Sequence, residues 1–83
     1  MRRSLTETFW VNMERYQELR GLDDKQIAQH LGIRRDSWRE YRSMKQSPKL
    51  QRVEKLAKIL RVKPIDLLES WTEKEWREVF EKG

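Results

Sequence analysis

The chemistry this chain can offer is concentrated in its cations. Residues 34–63 hold eleven lysine and arginine side chains against three carboxylates, a local net of +8. Residues 1–33 balance at five of each sign, and residues 64–83 carry three basic and six acidic groups. The excess is made up of Arg34, Arg35, Arg39, Arg42, Lys45, Lys49, Arg52, Lys55, Lys58, Arg61 and Lys63. Such a run on a helix can simply be a solvated face. In a chain with a pI near 9.8 it also suits a polyanionic partner, because ammonium and guanidinium groups neutralise phosphate.

Other chemistries lack their parts. One histidine, no cysteine and three scattered glycines leave no nucleophile and base pair, no thiolate metal site and no phosphate-cradling loop. His30 falls on an outward position of its helix, where it reads as a plain surface residue. The carboxylates occupy helix-surface positions that ordinary solvation explains. No catalytic residue, metal ligand or cofactor is expected. Single-stranded RNA recognition would need exposed aromatic rings for stacking, and Phe9, Tyr16, Trp38 and Tyr41 fall instead on apolar stripes.

Eighty-three residues make one domain, residues 1–83, with a single core. Leu, Ile, Val and Phe supply 19 positions, enough to fold with little to spare. No apolar run approaches a membrane span, and Met1-Arg2-Arg3 leads into no signal-peptide stretch, so a cytoplasmic location is expected.

The elements that would position the cations are all helical, since alternating β-branched residues are absent and few prolines or glycines interrupt the chain. Phe9, Met13, Tyr16 and Arg20 predict a first helix from about Thr6 or Thr8 to Arg20, stopped by Gly21. Asp23 or Asp24 caps a second, with Ile27, Ala28 and Leu31 inward and Gly32 at its end. A third starts between Arg34 and Asp36 and buries Trp38 and Tyr41. Met44 to Pro48 reads as a loop. A fourth runs from about Pro48 to Leu60 with Leu50, Val53, Leu56, Ala57 and Leu60 inward, and a short fifth from Pro64 to Glu69 buries Ile65, Leu67 or Leu68. Ser70 or Thr72 caps a final helix, and Thr72 with Glu75 has capping-box spacing.

From Gly21 to Pro48, the run Gly-Leu-Asp-Asp-Lys-Gln-Ile-Ala-Gln-His-Leu-Gly-Ile followed by Trp38 and Tyr41 resembles the helix-turn-helix of the Cro/C1-type phage-repressor family. Ala28 permits a close helix crossing, Gly32 a tight turn, and Ile33 with Trp38 plugs the joint. The resemblance extends from about Phe9 to Leu68. It implies an all-α, compact five-helix Cro/C1-type domain, core about 6–69, with an additional C-terminal amphipathic helix at about 70–82. It also implies a transcriptional regulator that binds double-stranded DNA as a homodimer on a pseudo-palindromic operator.

The third helix would then enter the major groove with Arg35, Asp36, Arg39 and Glu40 at base edges. Lys25, Gln26, Arg34, Ser37, Arg42, Lys45, Ser47 and Lys49 would meet phosphates. Four departures from the family pattern stand out. Asp24 replaces a glutamine that usually touches phosphate, a contact that Lys25 or Gln26 would take over. Gln17 and Arg42 replace an arginine and glutamate pair, which leaves Arg42 free for the DNA backbone. Met44 takes the usual glycine cap, and Trp38 is larger than the usual aliphatic residue.

Trp10, Trp71, Trp76 and Phe80 exceed what five such helices absorb. Trp71, Trp76, Val79 and Phe80 are therefore expected at a dimer or partner contact, and capping of Trp10 and Leu19 within the same chain is the other outcome. A protein-interaction module, such as an antirepressor or the antitoxin of a toxin–antitoxin pair, is the alternative function; its protein partner would engage the C-terminal helix.

Overall fold

A computed structural model describes residues 4–71 and 73–82, apart from the side chains of residues 73, 79, 80 and 82. Among the described residues there are helices and connecting turns and no strand: α1 (Leu5–Leu19), α2 (Asp24–Leu31), α3 (Arg35–Met44), α4 (Leu50–Leu60), α5 (Pro64–Leu68) and α6 (Glu73–Lys82). Local chemistry sets most of these limits. Ser4 accepts the Glu7 amide and starts α1 earlier than the apolar spacing predicts. Gly21, at φ +65°, lets the Leu22 amide return to the Gln17 carbonyl at 3.0 Å and closes that helix.

Asp23 and Gln26 form a reciprocal capping box on α2. Gly32, at φ +73°, then sends the Ile33 amide back to the Ala28 carbonyl and turns the chain into α3. The left-handed residue after α3 is Lys45, at φ +49°, and Met44 is the last helical residue rather than the cap. α4 begins at Leu50, not at Pro48.

The core draws on every helix, with Phe9, Met13, Ile27, Trp38, Leu56, Leu60 and Leu67 fully buried. Leu50 departs from its expected inward place and is 74% exposed. It is the first residue of α4, and helical side chains lean toward the N-terminus, so its stripe runs off the end of the core. In α5 the buried residue is Leu67, whereas Ile65 faces out. Asn12 ties α5 to α1: its amide donates to the carbonyls of Leu67 at 3.0 Å and Glu69 at 2.6 Å, where α5 runs out of partners of its own.

The surplus tryptophans find places inside the chain. Trp10 is buried against Phe9, Trp38 and Tyr41, with its indole N–H on the Gln46 carbonyl at 3.0 Å, so it joins α1 to α3 and to the following loop. Trp76, expected at a dimer or partner contact, is 3% exposed in the single chain. Its ring meets Tyr16 edge-on at 5.0 Å, lies under the Arg15 guanidinium and touches Trp71. Through Trp76 the helix thus covers α1 at Tyr16. The Trp71 indole donates to the Asp66 carbonyl at 3.1 Å, which fixes the turn into α6. Thr72 and the side chains of Val79 and Phe80 lie outside the described residues.

Candidate nucleic-acid interface

The site is built outward from one buried ring. Trp38 is the only residue of α3 that is fully buried, and it pins the helix across α2. Arg35, Asp36, Ser37, Arg39, Glu40 and Ser43 consequently face solvent. Helical spacing places Arg35, Asp36, Arg39 and Glu40 along one strip. An exposed helix of this kind is narrow enough to enter the DNA major groove, and its arginines carry the planar fork that matches guanine. Arg35 and Asp36 approach each other at 3.8 Å with both side chains well exposed, so their pairing is weak and leaves either free to turn to a base.

Cations surround the strip. Lys25 and Gln26 lie exposed on the first turn of α2, with the side-chain Oε1 of Gln26 already engaged by the Asp23 backbone N–H. Arg34 and Lys49 are the residues that precede α3 and α4, and neither helix has a side-chain cap. Cations are out of place there, because a helix N-terminus is itself positive and favours Asp, Ser or Asn. The same arrangement becomes favourable when an anion sits in front of it. Lys45 projects from the left-handed turn, and Ser47 is held by a 2.7 Å hydrogen bond with Thr6 that pins the loop to the start of α1.

Two expected features differ. Arg42 is not unpaired, as the loss of the arginine and glutamate pair suggested: its Nη1 lies 3.1 Å from Asp24 Oδ1. Nor is Asp24 a stray charge facing DNA. The same Oδ1 accepts from Gln17 Nε2 and Trp38 Nε1, each at 3.1 Å, and Oδ2 stands 3.9 Å from Arg39 Nε. One carboxylate at the start of α2 thereby joins α1, α2 and α3. The cost falls on Gln17, whose Oε1 is buried without a hydrogen-bond partner among the described residues. Helical spacing could not reveal this hub, since Trp38 and Arg42 meet Asp24 only after α3 has turned back across α2. The one signal was the joint change at positions 17, 24 and 42 relative to the resembling pattern.

Burial of the rings raises the tyrosine hydroxyl pKa values beside this assembly. Tyr41 is pushed up by loss of water, partly offset by Arg52, whose guanidinium lies 5.5 Å from its ring centre. Tyr16 is pushed up by burial first and by the nearby Asp66 charge second.

A helix whose one apolar side is anchored, whose other sides are polar and whose flanks are cationic has a counterpart among known families. The profile of the Cro/C1-type helix-turn-helix DNA-binding domain matches residues 12–72. This chain belongs to the Cro/C1-type helix-turn-helix DNA-binding family. Comparison with curated proteins and with solved structures returns no match. The matched span of the Cro/C1-type domain takes in α2 to α5 and most of α1, while α6 follows it entirely. The helix carrying Trp76 is thus an extension beyond the family profile that is packed back onto the domain. No helix among the described residues is long and apolar enough to cross a membrane.

Proposed function

We propose that this Cro/C1-type protein is a sequence-specific transcriptional regulator, of the repressor kind found on phages and mobile elements, which acts by occupying an operator. The observation that carries this reading is α3 itself: Trp38 is buried, Arg35, Asp36, Arg39 and Glu40 face outward, and uncapped helix starts at Arg34 and Lys49 flank them. One such helix reads only a few base pairs, so two copies on a pseudo-palindromic site supply the length that specificity needs. Control is steric, by excluding polymerase, and requires no bound cofactor. The protein-interaction alternative is less well supported, because Trp76, the centre of its binding face, is already buried in the chain.

The test is a footprint on the DNA upstream of its own gene, followed by binding isotherms over a salt series. With roughly six to eight phosphates neutralised per dimer, log K falls against log salt with a slope of about −5 to −7. A slope near zero, or equal affinity for every duplex at moderate salt, overturns the reading.

A further inference from the structure

We propose that Asp24 is a positioning and specificity-determining residue: by pairing with Arg39 it turns that arginine from a general phosphate contact into a reader of base edges. This rests on the DNA-binding reading above. The Asp24 side chain is only 18% exposed, and its Oδ1 is saturated by Gln17, Trp38 and Arg42. Its Oδ2 faces Arg39 Nε at 3.9 Å. The two arginines therefore stand differently. Arg42 is held at 3.1 Å and is spent on structure, whereas Arg39 is 59% exposed on the outward strip of α3 and is held loosely, from behind.

The contact on Nε matters. It leaves both terminal nitrogens of the Arg39 guanidinium without an ion-pair partner among the described residues, and those are the two donors that guanine O6 and N7 engage. A base in the groove can thus be read while the Asp24 pair persists. A phosphate beside the groove demands that Arg39 swing away from Asp24, whose side chain is far more buried than that of Asp36. This loose pair therefore resists breaking more than Arg35 with Asp36 does, and the phosphate contact gains correspondingly less. Arg39 then contributes to the right sequence and adds almost nothing to random DNA. A partly buried pair is also less screened by salt than an exposed one, so the restraint persists under cellular conditions.

The experiment measures anisotropy of two probes over a salt series: a duplex selected from a random pool by the wild-type protein, and the random pool itself. Arg39→Gln, at an exposed position, weakens the selected duplex by about tenfold or more, the value of one good guanine contact, and the random pool by less than twofold. Equal loss on both probes, or none on the selected duplex, overturns the proposal. Asp24→Asn keeps an acceptor for Gln17 and Trp38 but removes the charge. It raises affinity for the random pool several-fold and steepens its salt slope by about one.

That rise disappears in the Arg39→Gln background, whereas a rise that persists there reflects lost repulsion or a released Arg42 and overturns the proposal, as does no rise at all. Thermal melts identify an unfolded Asp24→Asn variant, in which case the two probes of Arg39→Gln decide alone. A wild-type protein that does not distinguish selected from random duplex refutes sequence-specific recognition. The Asp24→Asn gain on random DNA, with and without Arg39, still decides the role of Asp24.

Discussion

Replacing Trp76 with alanine separates a helix that covers its own domain from one that joins two copies. The ring is 3% exposed in the single chain, packs edge-on against Tyr16 at 5.0 Å and carries the Arg15 guanidinium 5.2 Å from its centre. Truncating a core tryptophan to alanine typically costs about 3 to 5 kcal/mol, of which an aromatic pair accounts for roughly 0.5 to 1.5. Trp76 anchors a terminal helix that can let go as a unit, which limits the loss to the docking energy of α6 and favours the lower end, about 3 kcal/mol. In a domain of this size each kcal/mol moves the midpoint by roughly 4 to 8 °C, so the variant melts about 12 °C lower or more. Circular-dichroism melts measure that shift, and sedimentation equilibrium on the same samples reports the mass. The expected result is a lower midpoint at unchanged mass. An unchanged midpoint together with a fall from two copies to one would mean that the ring is buried by a partner, and would refute the packing argued above.

Three further outcomes follow from the same structure. Arg35→Ala relaxes the preference at one base pair of each half-site by roughly 1 to 3 kcal/mol, while Lys45→Ala and Lys49→Ala weaken all sequences alike; a selection from random DNA with each variant checks both. Asn12→Ala strands two carbonyls at the end of α5 and costs about 2 to 3 kcal/mol in a denaturant titration, and a loss under about 0.5 would show that those bonds hold nothing. Burial raises the folded-state pKa of Tyr16 and Tyr41 above the ordinary tyrosine value near 10, so the unfolded chain gives up those protons first. Their contribution is intact below about pH 10 and is lost as pH climbs from there through the raised values; urea midpoints that hold steady from pH 9 to 11 would contradict this.

Much of the helix-turn-helix could be read from residue order because its determinants are local. Gly21, the Asp23 and Gln26 capping box, Gly32 and the Ile27, Ala28, Leu31 stripe each act within a few residues, and the outward strip of α3 follows once Trp38 is assigned to the core. The +8 segment was equally legible, since charge is counted and not folded. What order alone left open were contacts between elements far apart in the chain. Trp10 and Trp76 had the same residue type and the same surplus apolar area, and only the packing of α1 against the loop after α3 and against α6 assigned each a partner. Leu50 carried the right spacing but sits where α4 outruns the core. Asn12 gave no periodic signal, because its worth lies in carbonyls more than fifty residues away. Asp24 looked like a charge that DNA would repel. It became a junction of three helices because the turn at Gly32 brings Trp38, Arg39 and Arg42 back over α2, and a carboxylate is defined less by its neighbours in the chain than by the donors folding places around it.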